Sequence, residues 1–167
     1  MNPARSQRAR PLIGMALGGF LFLVLGCVAE VDPASIQGVT ISAGRYEIQN
    51  GLPALVEATS EIGCEPGTIF GVDYRLDVAP GQGGVVPVEF RWSHPELSVP
   101  SKKLWGTESP ARMPNPSLPK GQTSIFGQAL WVLEHLDERV SGKFEFIIRT
   151  LPDRRQILTK SFNVKGC

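Results

Sequence analysis

Between Gly67 and Pro95 apolar and polar residues alternate with a period of two, the spacing of a strand buried on one face. Phe70, Val72, Tyr74, Leu76 and Val78 occupy even positions, and Asp73, Arg75 and Asp77 odd ones. Val86, Val88, Phe90 and Trp92 repeat the stripe, with Glu89 and Arg91 between them. The intervening Ala79-Pro80-Gly81-Gln82-Gly83-Gly84 carries turn residues, so the two runs are predicted to form a β-hairpin. Charge then chooses a register. Opposing Arg75 to Glu89 and Asp73 to Arg91 makes two matched pairs, whereas shifting by two residues opposes Asp73 to Glu89, or Arg75 to Arg91 and Asp77 to Glu89.

The same pattern places the other strands. Val39, Ile41 and Ala43 are apolar at odd positions, then Tyr46 and Ile48 at even ones, a phase change at Gly44 that marks a β-bulge or a strand crossing between sheets. Asn50-Gly51-Leu52-Pro53 is a turn, and a weaker strand follows over Leu55 to Ser60. Further strands are expected over Ser124 to Leu133, Lys143 to Thr150 and Gln156 to Val164, with one helical turn over Glu134 to Ser141. Lys160 breaks the stripe of the last strand, and its stem is expected to reach out from a sheet edge. Six prolines between Ser93 and Thr123 leave no sustained period there, so residues 93–123 read as a long surface loop. About seven strands with hairpin connections predict an all-β fold, an immunoglobulin-like antiparallel β-sandwich, with a small barrel as the alternative.

Composition changes the picture at the N-terminus. Arg5, Arg8 and Arg10 precede an uncharged apolar run from Leu12 to Gly26 and a small-residue exit, the layout of an export signal over residues 1–29. Val24-Leu25-Gly26-Cys27 resembles the bacterial lipobox, which implies cleavage before Cys27 and a lipid, such as palmitate, on its sulfur; Leu25 stands where a smaller residue is commoner. Cleavage after Ala29 and an uncleaved anchor are the alternatives. Residues 30–35 then form a short tether and residues 36–167 the sandwich. All 16 acidic residues follow position 29 but three of the 17 basic ones precede it, so the exported part carries a formal −2. Nucleic acid, which selects a strongly basic face, is excluded as a partner. With Cys27 lipidated or removed, Cys64 and Cys167 remain as an expected disulfide pair in an oxidising compartment.

Gly67-Thr68-Ile69-Phe70-Gly71, Arg91-Trp92-Ser93-His94-Pro95 and Ser161-Phe162-Asn163-Val164 resemble a family of bacterial exported β-sandwich domains of uncharacterised function, over roughly Ile36 to Val164. The resemblance implies a β-sandwich and a bacterial source, and it brings no catalytic residue. The proline-rich stretch is longer than that family's connection, and the cysteine pair is not part of its pattern.

Candidate chemistry is sparse. His94 precedes a proline at a strand end and reads as bonded to a loop backbone group; His135 lies in Glu134-His135-Leu136-Asp137-Glu138 and reads as part of a solvated turn. No serine elbow, phosphate loop or metal spacing occurs, and Glu57 with Glu61 is an acidic pair of a kind any exported domain offers. We therefore expect no catalytic residue, no metal and no cofactor, and a non-catalytic domain. Trp105, flanked by Lys102 and Lys103 in the proline-rich stretch, is the candidate binding anchor, and Trp92 and Trp131 read as core. The expected partners are the membrane, through lipid on Cys27, and an unknown protein or polymer of the bacterial envelope on its periplasmic side. An assembly component acting through sheet edges is the alternative, and a hydrolase or metal-dependent enzyme the remote one.

Overall fold

The computed structural model describes residues 31–32, 35–81, 83–99, 104–111, 116–134 and 138–167, without the side chains of 98, 99, 104 and 105. The signal with Cys27, and Lys102, Lys103 and His135, lie outside the described residues.

Among the described residues eleven strands follow in order: β1 (Ile36–Gln49), β2 (Leu52–Glu57), β3 (Glu61–Gly63), β4 (Thr68–Val78), β5 (Gly84–Val85), β6 (Val88–Val99), β7 (Leu104–Pro110), β8 (Ser117–Leu118), β9 (Ser124–Leu133), β10 (Gly142–Thr150) and β11 (Gln156–Lys165). They build a sheet of order β2-β1-β4-β9, a second of order β3-β11-β10-β6-β7, and a small β5-β8 ribbon. The fold is an immunoglobulin-like β-sandwich. Neighbouring strands run antiparallel except β3 against β11.

The even stripe of β4 and the even stripe of β6 are both buried, as the alternation requires. Phe70 sits at the centre, edge-on to Trp92, Phe144 and Phe162 at centroid distances of 5.8, 5.5 and 5.2 Å. The expected hairpin, however, does not exist. β4 pairs with β1 and β9, β6 pairs with β10 and β7, and the two strands lie in different sheets. Arg75 therefore stands opposite Thr40 and Phe126, and Glu89 opposite Arg149. Their charges are met within each strand instead, by Arg75 to Asp77 and Arg91 to Glu89, both at 2.7 Å. The reason lies in the connection. Val85 pairs with Ser117 and the Val86 N–H donates to the Pro116 carbonyl, so the linking segment spends its backbone groups on β8 rather than closing a turn.

The proline-rich stretch is a second correction. β6 continues to Val99 and returns as β7, with an irregularity between Ser93 and Leu97 that contains Pro95. Pairing of β6 with β10 ends at Ser93, so the missing proline N–H falls where no ladder needs it. Together with β8 this raises the strand number above the expected seven.

Asn50 and Gly51, with φ of 53° and 80°, form the two-residue loop of the β1–β2 hairpin. The phase change at Gly44 reflects a change of face: Val39 and Ile41 pack against the core, while Tyr46 is buried on the outer surface of the sheet and Ile48 stays 58% exposed. β1 itself is continuous. The bulge is carried by β2, where Arg45 faces Glu57 but Tyr46 faces Leu55.

Candidate functional site

The bonding of β6 to its neighbours makes an arm of the β6–β7 hairpin. Among the described residues β7 alone is hydrogen-bonded to β6 beyond Ser93, pairing Leu97 with Gly106, Ser98 with Trp105 and Val99 with Leu104, while the Leu97 side chain still packs into the core. Trp105 thus occupies a strand position near the end of the arm rather than a loop.

At the root of the arm, His94 and Ser109 are 3% and 2% exposed. The carbonyl of Pro95 can only accept, so the His94 Nδ1 at 2.8 Å must carry the proton; Nε2 then accepts from the Ser109 hydroxyl at 2.8 Å. For the neutral ring this assigns the Nδ1–H tautomer. Burial pulls the His94 pKa below its ordinary value, opposed by the Pro95 carbonyl and the charge of Glu108. The ring packs against Trp131 and Phe144, at centroid distances of 5.2 and 6.2 Å. A serine hydroxyl on a histidine nitrogen is also the pairing of an activated nucleophile, but here both members are enclosed and the contact fastens β7 to β6. The sequence placed His94 against a backbone group correctly. Ser109 was missed because it lies 15 residues away in a stretch read as loop.

The two outer surfaces differ. Across the five-stranded sheet Lys143 meets Glu145 at 2.7 Å, and Arg91 and Arg149 approach Glu108 at 3.2 and 3.8 Å, a charge-paired face. Across the four-stranded sheet, Leu55, Tyr46, Ile69 and Val132 align in one row over all four strands. Beside it, a hollow of about 650 Å³ is lined by Ile48, Ile69, Glu47, Glu57, Glu61 and Glu65 among others. Glu57 accepts from Arg45, and Glu61 pairs with Lys165, so the expected acidic pair is engaged in structural contacts. Among the described residues no group of three or more His, Cys, Asp or Glu has the placement to hold a metal ion. Lys160 reaches from the uncovered edge of β11 to the Ser60 hydroxyl at 2.9 Å, as its place in the stripe predicted. Cys64 and Cys167 form a disulfide.

No family model matches the chain, and no curated protein matches it. Among solved structures it is similar to an immunoglobulin-like protein from Pseudomonas aeruginosa, with a TM-score of 0.56 and 23% identity over 84% of this chain and 100% of that one. This likeness shows the fold. A β-glucosidase from Listeria innocua, with a TM-score of 0.47 and 10% identity, overlaps 77% of this chain but 16% of its own length. An alkylpurine DNA glycosylase from Pseudomonas fluorescens has a TM-score of 0.43 and 12% identity, over 64% of this chain and 28% of its own. Neither of these two supports an argument about function.

Proposed function

We propose that the chain is an exported, non-catalytic binding domain, held at a bacterial membrane through lipid on Cys27, whose β6–β7 arm presents Trp105, Lys102 and Lys103 to a protein or an envelope polymer. One observation carries the reading. The Val31 N–H donates to the Val85 carbonyl at 2.8 Å, so the segment leading in from Cys27 joins the sandwich beside the start of β6, whereas the arm is the far end of the same strand. At about 3.3 Å per residue, β6 separates the two by roughly 40 Å. An anchor at one pole thus leaves the arm directed away from the surface. The disulfide adds support, since such bonds persist in oxidising compartments.

Cys27→Ala should move the protein from the membrane to the soluble fraction; retention in the membrane refutes the lipid anchor. For the arm, deletion is uninformative because residues 104–110 and 117–118 pair in sheets. The triple change Trp105→Ala, Lys102→Ala and Lys103→Ala should abolish partner cross-linking in cells, and undiminished cross-linking refutes the arm as the recognition element.

The second reading, an assembly component acting through sheet edges, is favoured by the uncharged edge formed by β9.

A further inference from the structure

Four strands end the two large sheets, and three are guarded. β2 is six residues long and carries Pro53 and Glu57. β3 is three residues long, its Glu61 bound to Lys165, and the part of β11 it leaves uncovered carries Lys160. β7 carries Glu108 and Pro110. These are the short lengths, charges and prolines that keep an edge from pairing with another chain. β9 has none of them. Its ten residues, SIFGQALWVL, hold no charge and no proline, and among the described residues it pairs with β4 alone. On its outer face Phe126 is 73% exposed, with the Arg75 guanidinium 5.8 Å from the ring centroid.

We propose that β9 pairs antiparallel with β9 of a second copy of this chain about a two-fold axis, joining two four-stranded sheets into one of eight strands. Charge selects the occupant. Self-pairing opposes a strand to itself, and on the other edges it would draw Glu57, Glu61 or Glu108 toward its own equivalent. β9 meets itself without repulsion. The two-fold falls at Gln128: this centre sets each Phe126 against Leu130 of the other copy and Ser124 against Val132, with the two Gln128 side chains adjoining. Centring on Leu130 would put Phe126 against Glu134, and centring on Phe126 would leave Leu130 against Gln122. Centring on Phe126 sets the two rings against each other but gives no second apolar pair on that face, and centring on Ala129 sets Phe126 against Val132 but brings Glu134 opposite Ser124; the Gln128 centre gives two Phe126–Leu130 pairs with no charge opposite any β9 residue. The dimer goes beyond the binding reading and does not depend on Cys27.

The test is disulfide trapping in cells, with the full chain and its own signal. Gln128→Cys should yield a cross-linked dimer on a non-reducing gel, because residues directly opposite on antiparallel strands lie within disulfide reach. Leu52→Cys, 71% exposed at the β1–β2 tip, should yield none. Adding Phe126→Asp to Gln128→Cys should lower the dimer fraction about tenfold, since two Phe126–Leu130 pairs are lost and two charges enter the seam. Folding of each variant is verified by the native Cys64–Cys167 bond. A folded Gln128→Cys protein that stays monomeric, that cross-links to a different protein, or that dimerises no more than Leu52→Cys overturns the proposal.

Discussion

The rings of Tyr74 on β4 and Phe90 on β6 meet across the sandwich with their centroids 5.1 Å apart and their planes inclined by 37°. The two strands belong to different sheets, so this contact is between layers rather than between hydrogen-bonded neighbours. Tyr74 is 6% exposed and Phe90 7%. A double-mutant cycle with Tyr74→Leu and Phe90→Leu should therefore give a coupling of about 0.5–1.5 kcal/mol in urea unfolding. The same cycle on Arg75 and Glu89, which lie on opposite outer surfaces, should give none. Coupling at Arg75 and Glu89 equal to that at Tyr74 and Phe90 would restore the hairpin and dismantle the layer assignment.

Alternation along β4 and β6 identifies which side chains leave water, and it identified them correctly from Phe70 to Trp92. It says nothing about whether two buried faces lie side by side or face to face, because either arrangement buries the same even positions. The charge argument for Arg75 beside Glu89 failed for a related reason: residues two apart on one strand share a face, and Asp77 and Glu89 already neutralise Arg75 and Arg91 there. Strands whose bounds are marked by turn residues, such as Ser124–Leu133, Gly142–Thr150 and Gln156–Lys165, were legible nearly to the residue. The arm was not, since Pro95 and Pro110 mask a pairing that only the missing β10 neighbour makes tolerable. The outer-face burial of Tyr46 was legible only as a phase change at Gly44, with no sign of what it meant.

His94 makes stability depend on pH below neutrality. Its ring is neutral and enclosed in the native state, with a pKa below the ordinary value, so the folded chain binds a proton less readily than the unfolded one. Stability contributed by this site is intact above the unfolded value of about 6.5 and is lost as pH falls from there toward the native pKa. The native carboxylates of Glu61, Asp77, Glu145 and Asp153 are also lowered, chiefly by side-chain hydrogen bonds, but they act below their unfolded values of 3.8 to 4.5. In the window between about 4.5 and 6.5 those carboxylates drop out, and comparison with a His94 variant separates this imidazole from the chain's other histidine, His135. Urea midpoints measured across that window should fall for the wild-type chain and stay flatter for His94→Asn. An equal slope in the two proteins would mean that His94 is not held neutral.

Tyr46 gives the opposite limb. Gly44 stands directly across from Gly71, and the Tyr46 hydroxyl lies 3.5 Å from the Ser42 carbonyl, so the ring lies along the sheet over positions that carry no side chain. It is 2% exposed. Burial raises its pKa far above that of free tyrosine, and the adjacent Asp73 charge adds to the shift. The unfolded chain loses this proton near pH 10 and the folded one does not, so stability falls as pH rises past that point. Tyr46→Phe should cost about 1 kcal/mol at neutral pH and weaken the alkaline decline, while Tyr46→Ala should cost about 3–5 kcal/mol. A near-neutral Tyr46→Ala, read by thermal unfolding, would place the ring in solvent.

Cys64 and Cys167 follow β3 and β11, a parallel pair that rests on the three facing residues Glu61, Ile62 and Gly63. So short a ladder is held by the buried Ile62, by the Asn163 N–H donating to the Ser60 carbonyl at 2.7 Å, and by exposed contacts of Glu61 with Lys165 and the Asn163 amide, which contribute little in water. The covalent link spans a sequence separation of 103 residues, for which the loss of unfolded-chain entropy corresponds to about 4–5 kcal/mol. Replacing both cysteines by serine should lower the unfolding free energy by that amount, with a lower urea midpoint, and steepen the transition, because the unlinked chain exposes more surface on unfolding. The loss should begin locally. Hydrogen exchange at Ile62 and Asn163 should quicken well before that at Phe70 or Phe146, whose strands are paired on both sides. A double-serine variant of unchanged stability, with uniform exchange, would show that β3 is held by its packing and that the disulfide is dispensable to the sandwich.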